Sequence, residues 1–152
     1  GANLPCGEVY CAPLETGADG VVVCDGCFGA HGTVAAPVRI AVAGGRATDV
    51  ACADADLARE VTALMDTDPG ARTIAELGIG LNPGARLTER MLEAEKVRGT
   101  AHVAFGDNEG IGGGRSRSRM HVDYLVKAPT IVVTRADGST VELMRDGQTP
   151  GS

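Results

Sequence analysis

Three histidines occur in the 152 residues, His31, His102 and His121, so where they fall is informative. His121-Val122-Asp123 sets an imidazole and a carboxylate at i and i+2. On a β-strand those positions share a face, so both can address one cation. His102 lies inside the run Thr100 to Phe105 and offers a second nitrogen from a neighbouring strand. Two neutral imidazoles and a hard anion suit Zn, Co, Mn or Fe(II). A surface pair or a hydrogen-bonded core histidine satisfies the same spacing, and spacing alone leaves that alternative open.

Several carboxylates stand in apolar or glycine-rich surroundings: Glu8 between Gly7 and Val9, and Glu76 in Ile74-Ala-Glu-Leu-Gly-Ile79. An ionised carboxylate in such a strand is costly unless it is paired or holds a cation. Glu93 and Glu95 are two apart on a predicted helix and diverge, so at most one of them reaches a common site. His31, in Gly29-Ala-His-Gly-Thr33, reads as structural or exposed. Cys24-x-x-Cys27 has zinc-ribbon spacing, but Cys6 and Cys11 do not complete a second such pair, so these thiols are expected to be small buried residues and not ligands. Gly110-Ile-Gly-Gly-Gly114 lacks the Lys-Ser/Thr ending of a phosphate loop and is expected to border the site as a mobile loop.

The elements that must position these groups are mostly strands. Short strands are predicted over residues 7–12 and 20–24, then a hairpin of 37–43 and 46–52 around Gly44-Gly45. Leu57, Val61, Leu64 and Met65 recur at helical spacing, with Asp54 or Asp56 as cap and Asp68-Pro69-Gly70 as stop. Residues 73–79 read as extended. A second helix is predicted from about Thr88 to Glu95 with Met91 and Leu92 inward, followed by strands at 100–105, 120–126, 130–134 and 140–144. The expectation is a single α+β domain with a mixed or antiparallel β-sheet and two helices.

Composition narrows the function classes. Fourteen basic residues against 20 acidic ones leave a net charge of -6, which repels phosphate backbones, so no nucleic-acid partner is expected. The basic run Arg115-Ser-Arg-Ser-Arg119 has no interleaved aromatics and reads as a solvated loop. No apolar stretch is long enough for a membrane span and no export signal precedes the five cysteines, so a soluble, reduced, cytoplasmic protein without a membrane partner is expected. The chain opens Gly1-Ala2-Asn3 without Met, which reads as a processed or excised piece.

Four segments in order carry a family resemblance: Asn3-Leu-Pro-Cys-Gly-Glu-Val-Tyr-Cys-Ala-Pro13, Ala75-Glu-Leu-Gly-Ile-Gly-Leu-Asn82, Leu92-Glu-Ala-Glu-Lys96 with Gly99-Thr-Ala-His-Val-Ala-Phe-Gly106, and His121-Val-Asp123. Together they resemble the C-terminal, metal-binding half of the thermophilic leucyl aminopeptidases, the aminopeptidase T and aminopeptidase S type. The resemblance implies a two-cation site held by Glu8, Glu76, Glu95, His102, His121 and Asp123. It makes Glu8 the bridging carboxylate and Glu76 a proton shuttle, and the activity a metal-dependent removal of N-terminal amino acids from peptides. It also implies an N-terminal half that is missing here, or a homo-oligomer. Glu109 stands where family members have a tyrosine, and the segment between His102 and His121 is shorter than theirs. Some relatives resemble mononuclear Fe(II) ring-cleaving dioxygenases of dihydroxypyridines. In that alternative His102, His121 and Asp123 form a facial triad acting on a small molecule. A non-catalytic metal-binding or oligomerising domain is the third reading.

Overall fold

Alternation along Val38, Ile40 and Val42 turns one face of a strand inward, and the same rule, repeated through the chain, leaves helix as the minor element. The computed structural model describes residues 5–150. Asn3 and Leu4, which open the first family-like segment, lie outside the described residues. In chain order the elements are β1 (Glu8–Cys11), β2 (Gly20–Cys24), β3 (Cys27–Phe28), β4 (Gly32–Thr33), β5 (Val38–Ala43), β6 (Arg46–Ala51), α1 (Ala55–Met65), β7 (Ile74–Gly80), α2 (Met91–Ala94), β8 (Thr100–Gly106), β9 (His121–Lys127), β10 (Ile131–Thr134) and β11 (Thr140–Met144). The strands form a six-stranded sheet in the order β1-β7-β8-β9-β3-β4, a three-stranded sheet β2-β5-β6 and a ribbon β10-β11. Every pairing between these strands is antiparallel, and the parallel bridge Asn82–Val97 lies outside them. The fold is α+β, as expected.

Helix α1 begins where Asp54 accepts hydrogen bonds from the Asp56 and Leu57 amides, satisfying donors that a helix start leaves unpaired. It buries Leu57, Val61 and Met65, each worth about 1.5–3 kcal/mol against exposure. These side chains meet Val38, Ile40 and Val42 of the three-stranded sheet, together with Phe105 and Tyr124 from one face of the six-stranded sheet. That core fixes the large sheet from behind and leaves its other face for the site.

Two details differ from expectation. Helix α2 is a single turn, Met91–Ala94, because Arg90 before it is extended (φ -89°, ψ 107°) and has no side-chain cap bond. Met91 is buried as expected, but Leu92 is 50% exposed. Strands β3 and β4, two residues each, were not predicted, since two residues carry no readable period.

The β7–β8 ladder contains a bulge. Ile74 pairs with Phe105 and Glu76 with Ala104, so Ala75 is an extra residue on β7. In an unbroken strand Ile74 and Glu76 would share a face. The bulge lets Ile74 join the core while Glu76 turns to the opposite side.

Candidate metal centre

Register explains how one sheet face can hold so many polar side chains. Glu8 lies across from Gly80, His102 from Gly78, and His121 from Gly106, while Glu76 and Asp123 flank Ala104 from either side. Each of these five side chains therefore has, on one side, a cross-strand neighbour with little or no side chain, while His102 faces Leu125 on the other. The space is used: a Cβ on Gly78 would lie 2.1 Å from Cε1 and Nε2 of His102, and one on Gly80 would lie 2.1 Å from the Val97 carbonyl. That second approach brings the segment after α2 onto the sheet, where Asn82 holds it by donating its N–H to the Lys96 carbonyl and accepting the Arg98 N–H. Asn82 Nδ2 also donates to the Cys6 carbonyl at 2.7 Å, so one residue fixes both the approach to Glu8 and the placing of Glu95 and Lys96.

Glu76 occupies the middle of the cluster. His102 Nε2 is 3.2 Å from its Oε1 and His121 Nε2 is 3.3 Å from its Oε2. Asp123 Oδ1 lies 3.4 Å from His121 Nε2, and Glu8 Oε2 lies 3.7 Å from His102 Nε2. Lys96, 2% exposed, donates to Glu8 Oε1 at 2.7 Å and to Glu95 Oε1. Glu8, expected as the bridging carboxylate, is thus held on a flank by an ammonium, and the carboxylate between the two imidazoles is Glu76.

The charges follow from these contacts. Burial alone would raise the Glu76 carboxyl, but hydrogen bonds from both imidazoles outweigh it and bring it down to about 2. Hydrogen bonding to Asp123 and then Glu76 pushes His121 up to about 11. Burial raises Glu95 above its ordinary range. His121 Nδ1 faces the Asp107 carbonyl at 2.6 Å, and a carbonyl only accepts, so Nδ1 carries a proton and Nε2 is the nitrogen available to a cation.

The donor set fits divalent metal. Among the described residues, ligand atoms of Glu8, Glu95 and His102 lie within 4.8 Å of one another, and so do those of Glu76, His102 and Asp123. Glu8 Oε2 is buried without a hydrogen-bond partner, the condition that a cation relieves. With both imidazoles neutral, as ligation requires, four carboxylates against one ammonium leave a deficit that one or two divalent ions would largely neutralise. The cluster opens into a cavity of about 400 Å³ with an apolar side formed by Met91, Leu92 and Ile111, the last from the glycine-rich loop expected to border the site.

Other candidate residues lie elsewhere. Glu93 accepts the Arg86 amide, and Glu109 pairs with Arg117. His31 stacks on Phe28 at 4.8 Å between ring centroids and meets Glu60. Cys24 and Cys27 are buried, and burial pushes their thiols up to about 12 and about 11. The basic run is less free than expected. Its arginines are exposed, but Ser116 is buried and the amides of Arg115, Ser116 and Arg119 are captured by Glu15, Asn108 and Asp68. Sequence reasoning missed Lys96, because a lysine after a helix ordinarily reads as solvated. Its one signal was position, next to Glu95 and six residues before His102.

Comparison with known proteins gives concordant results. The family profile described as thermophilic metalloprotease (M29) matches residues 1–149. Aminopeptidase T of Thermus aquaticus is 30% identical over 164 residues, covering 96% of this chain and 40% of that protein. The chain thus spans about two-fifths of the length of that relative. Among solved structures, wild-type AmpT from Thermus thermophilus superposes with a TM-score of 0.75 at 23% identity, over 97% of this chain and 40% of that one. A 2,5-dihydroxypyridine dioxygenase from Pseudomonas putida KT2440 superposes with a TM-score of 0.77 at 18% identity, over 94% of this chain and 43% of that one. At these identities the two structures testify to the fold alone.

Proposed function

The chain belongs to the thermophilic metalloprotease (M29) family, and from that premise we propose that it is the metal-binding domain of an aminopeptidase that removes N-terminal amino acids from peptides. Its ligands are Glu8, Glu76, Glu95, His102, His121 and Asp123, and its cations are two ions of Zn, Co or Mn. The observation that carries this reading is the convergence of Glu8, His102, His121 and Asp123 on the sheet face around Glu76, with Glu95 brought in by the segment after α2; the two oxygens of Glu76 meet two different imidazoles. A set of four carboxylates and two imidazoles is richer in anions than a two-His, one-carboxylate iron site requires. When bound, the cations supply Lewis-acid polarisation of the peptide carbonyl and acidify water.

The chain's own groups divide the remaining work. Glu76, held ionised at both oxygens, orients the two imidazoles. Glu76, the carboxylate between the two imidazoles, is the residue that would shuttle the proton to the leaving amine. Met91, Leu92 and Ile111 form the apolar wall against which a substrate side chain rests. The rest of the substrate cleft comes from a further domain or a second copy of the chain, and the five unpaired thiols support a cytoplasmic setting.

The test begins with metal-free protein loaded in turn with Zn, Co, Mn and Fe(II), followed by elemental analysis and assay of amino-acid release from short peptides. The expected result is up to two ions per chain and weak hydrolysis without oxygen, because an open cleft orients substrate poorly. Oxygen uptake on a dihydroxypyridine by the Fe(II)-loaded protein, with no peptide cleavage under any metal, would overturn the proposal. Tight metal uptake with neither activity would favour a non-catalytic metal-binding domain.

A further inference from the structure

The cluster has two donor groups that share His102 but differ in what already satisfies them. In the group of Glu76, His102 and Asp123, the counter-charges are imidazoles, which can give up a proton and ligate. In the group of Glu8, Glu95 and His102, two carboxylates are bound by the ammonium of Lys96, which cannot ligate while it keeps its charge. The ammonium is 2% exposed, and its chain neighbours are fixed by Asn82, so it is a built part of the site.

Resting on the two-cation reading above, we propose that Lys96 serves as a resident cation in the Glu8–Glu95 group, so that metal enters the Glu76–His102–Asp123 group first and the other group only as Lys96 is released. Electrostatics supports that order. An ammonium a few ångströms from an incoming divalent ion repels it strongly where the effective dielectric is low, and it already holds one oxygen of each carboxylate, leaving Glu8 Oε2 without a hydrogen-bond partner. The first group holds no ammonium, and its counter-charges are imidazoles whose nitrogens become ligands themselves once neutral. The two affinities therefore separate, and the lysine sets the gap between them.

The chain has two lysines, Lys96 and Lys127, and Lys127 is exposed, so two side-chain signals report on the intact protein. In wild-type protein carrying labelled lysine, the first equivalent of Zn is expected to leave the Lys96 ε-carbon resonance in place. Further Zn then moves it. Calorimetric titration of Lys96→Met is expected to show the weaker event tightened about tenfold or more, because two buried carboxylates have lost their only ammonium. Movement of the Lys96 resonance with the first equivalent would overturn the proposal without any variant. An unchanged or lost weak event in folded Lys96→Met would do the same. Absence of any Zn, Co or Mn binding to the wild-type chain would overturn the two-cation reading as well, which separates the two failures.

Discussion

Gly78→Ala adds one methyl group at the point where β7 passes the imidazole of β8. The backbone at Gly78 has no positive φ, so alanine brings no strain of its own. The added Cβ would lie 2.1 Å from His102 Cε1 and Nε2, and ordinary contact begins at 3.4 Å, so the ring must move by at least 1.3 Å. Ligand geometry tolerates about 0.5 Å. Nε2 therefore loses its placing against Glu76, and metal affinity is expected to fall about 10- to 100-fold. Overpacking costs about 1–3 kcal/mol, offset by about 0.4–1 kcal/mol from the stiffer unfolded chain, so stability should drop only modestly. Titration calorimetry with Zn and thermal unfolding read the two effects separately. Gly112→Ala is the control, because a Cβ there meets nothing within 4 Å. Equal Zn affinity in Gly78→Ala and wild type, or equal weakening in Gly112→Ala, would refute the steric argument.

Glu8→Gln should lower metal content by elemental analysis more than Glu93→Gln does, since Glu93 spends its carboxylate on the Arg86 amide. In metal-free protein His121 stabilises the fold fully below its ordinary 6.5 and loses that contribution as pH rises toward about 11. Glu76 contributes above its ordinary 4.5 and fades as pH falls through about 2. Denaturant melts across pH should show the alkaline loss, and a flat profile above 6.5 would discard the His121 pairing. Met65→Ala opens a cavity in the core behind the sheet and should cost about 2–5 kcal/mol in denaturant unfolding. Its Zn affinity should stay at the wild-type value, because Met65 packs against the face opposite the site.

Much of this arrangement was legible because strand period fixes which side chains share a face. His121 with Asp123, and His102 one strand away, could be placed from spacing, and helix α1 from Leu57, Val61 and Met65. The second helix shrank because its first residues are extended and the chain after it is pulled onto Asn82, a tertiary demand that local propensity does not encode. Lys96 was illegible for a related reason. Burying an ammonium depends on pairing it with its chain neighbour Glu95 and with Glu8, which the fold brings from 88 residues away. The glycines were visible as letters but not as space, because a gap opposite a ring exists only once the register is known.

The bulge at Ala75 makes β7 a strand with two phases. Upstream of it the chain keeps time with the core through Ile74, and downstream it keeps time with the site through Glu76. One residue is the whole phase difference. Loss of Ala75 would let the core or the site keep its side chains, but not both, since a one-residue slip moves a strand's side chains to the other face. Over this stretch residue count is as strict a constraint as residue identity: Ala75 is fully buried, which keeps position 75 small, and its deletion would force the fold to choose between standing and working.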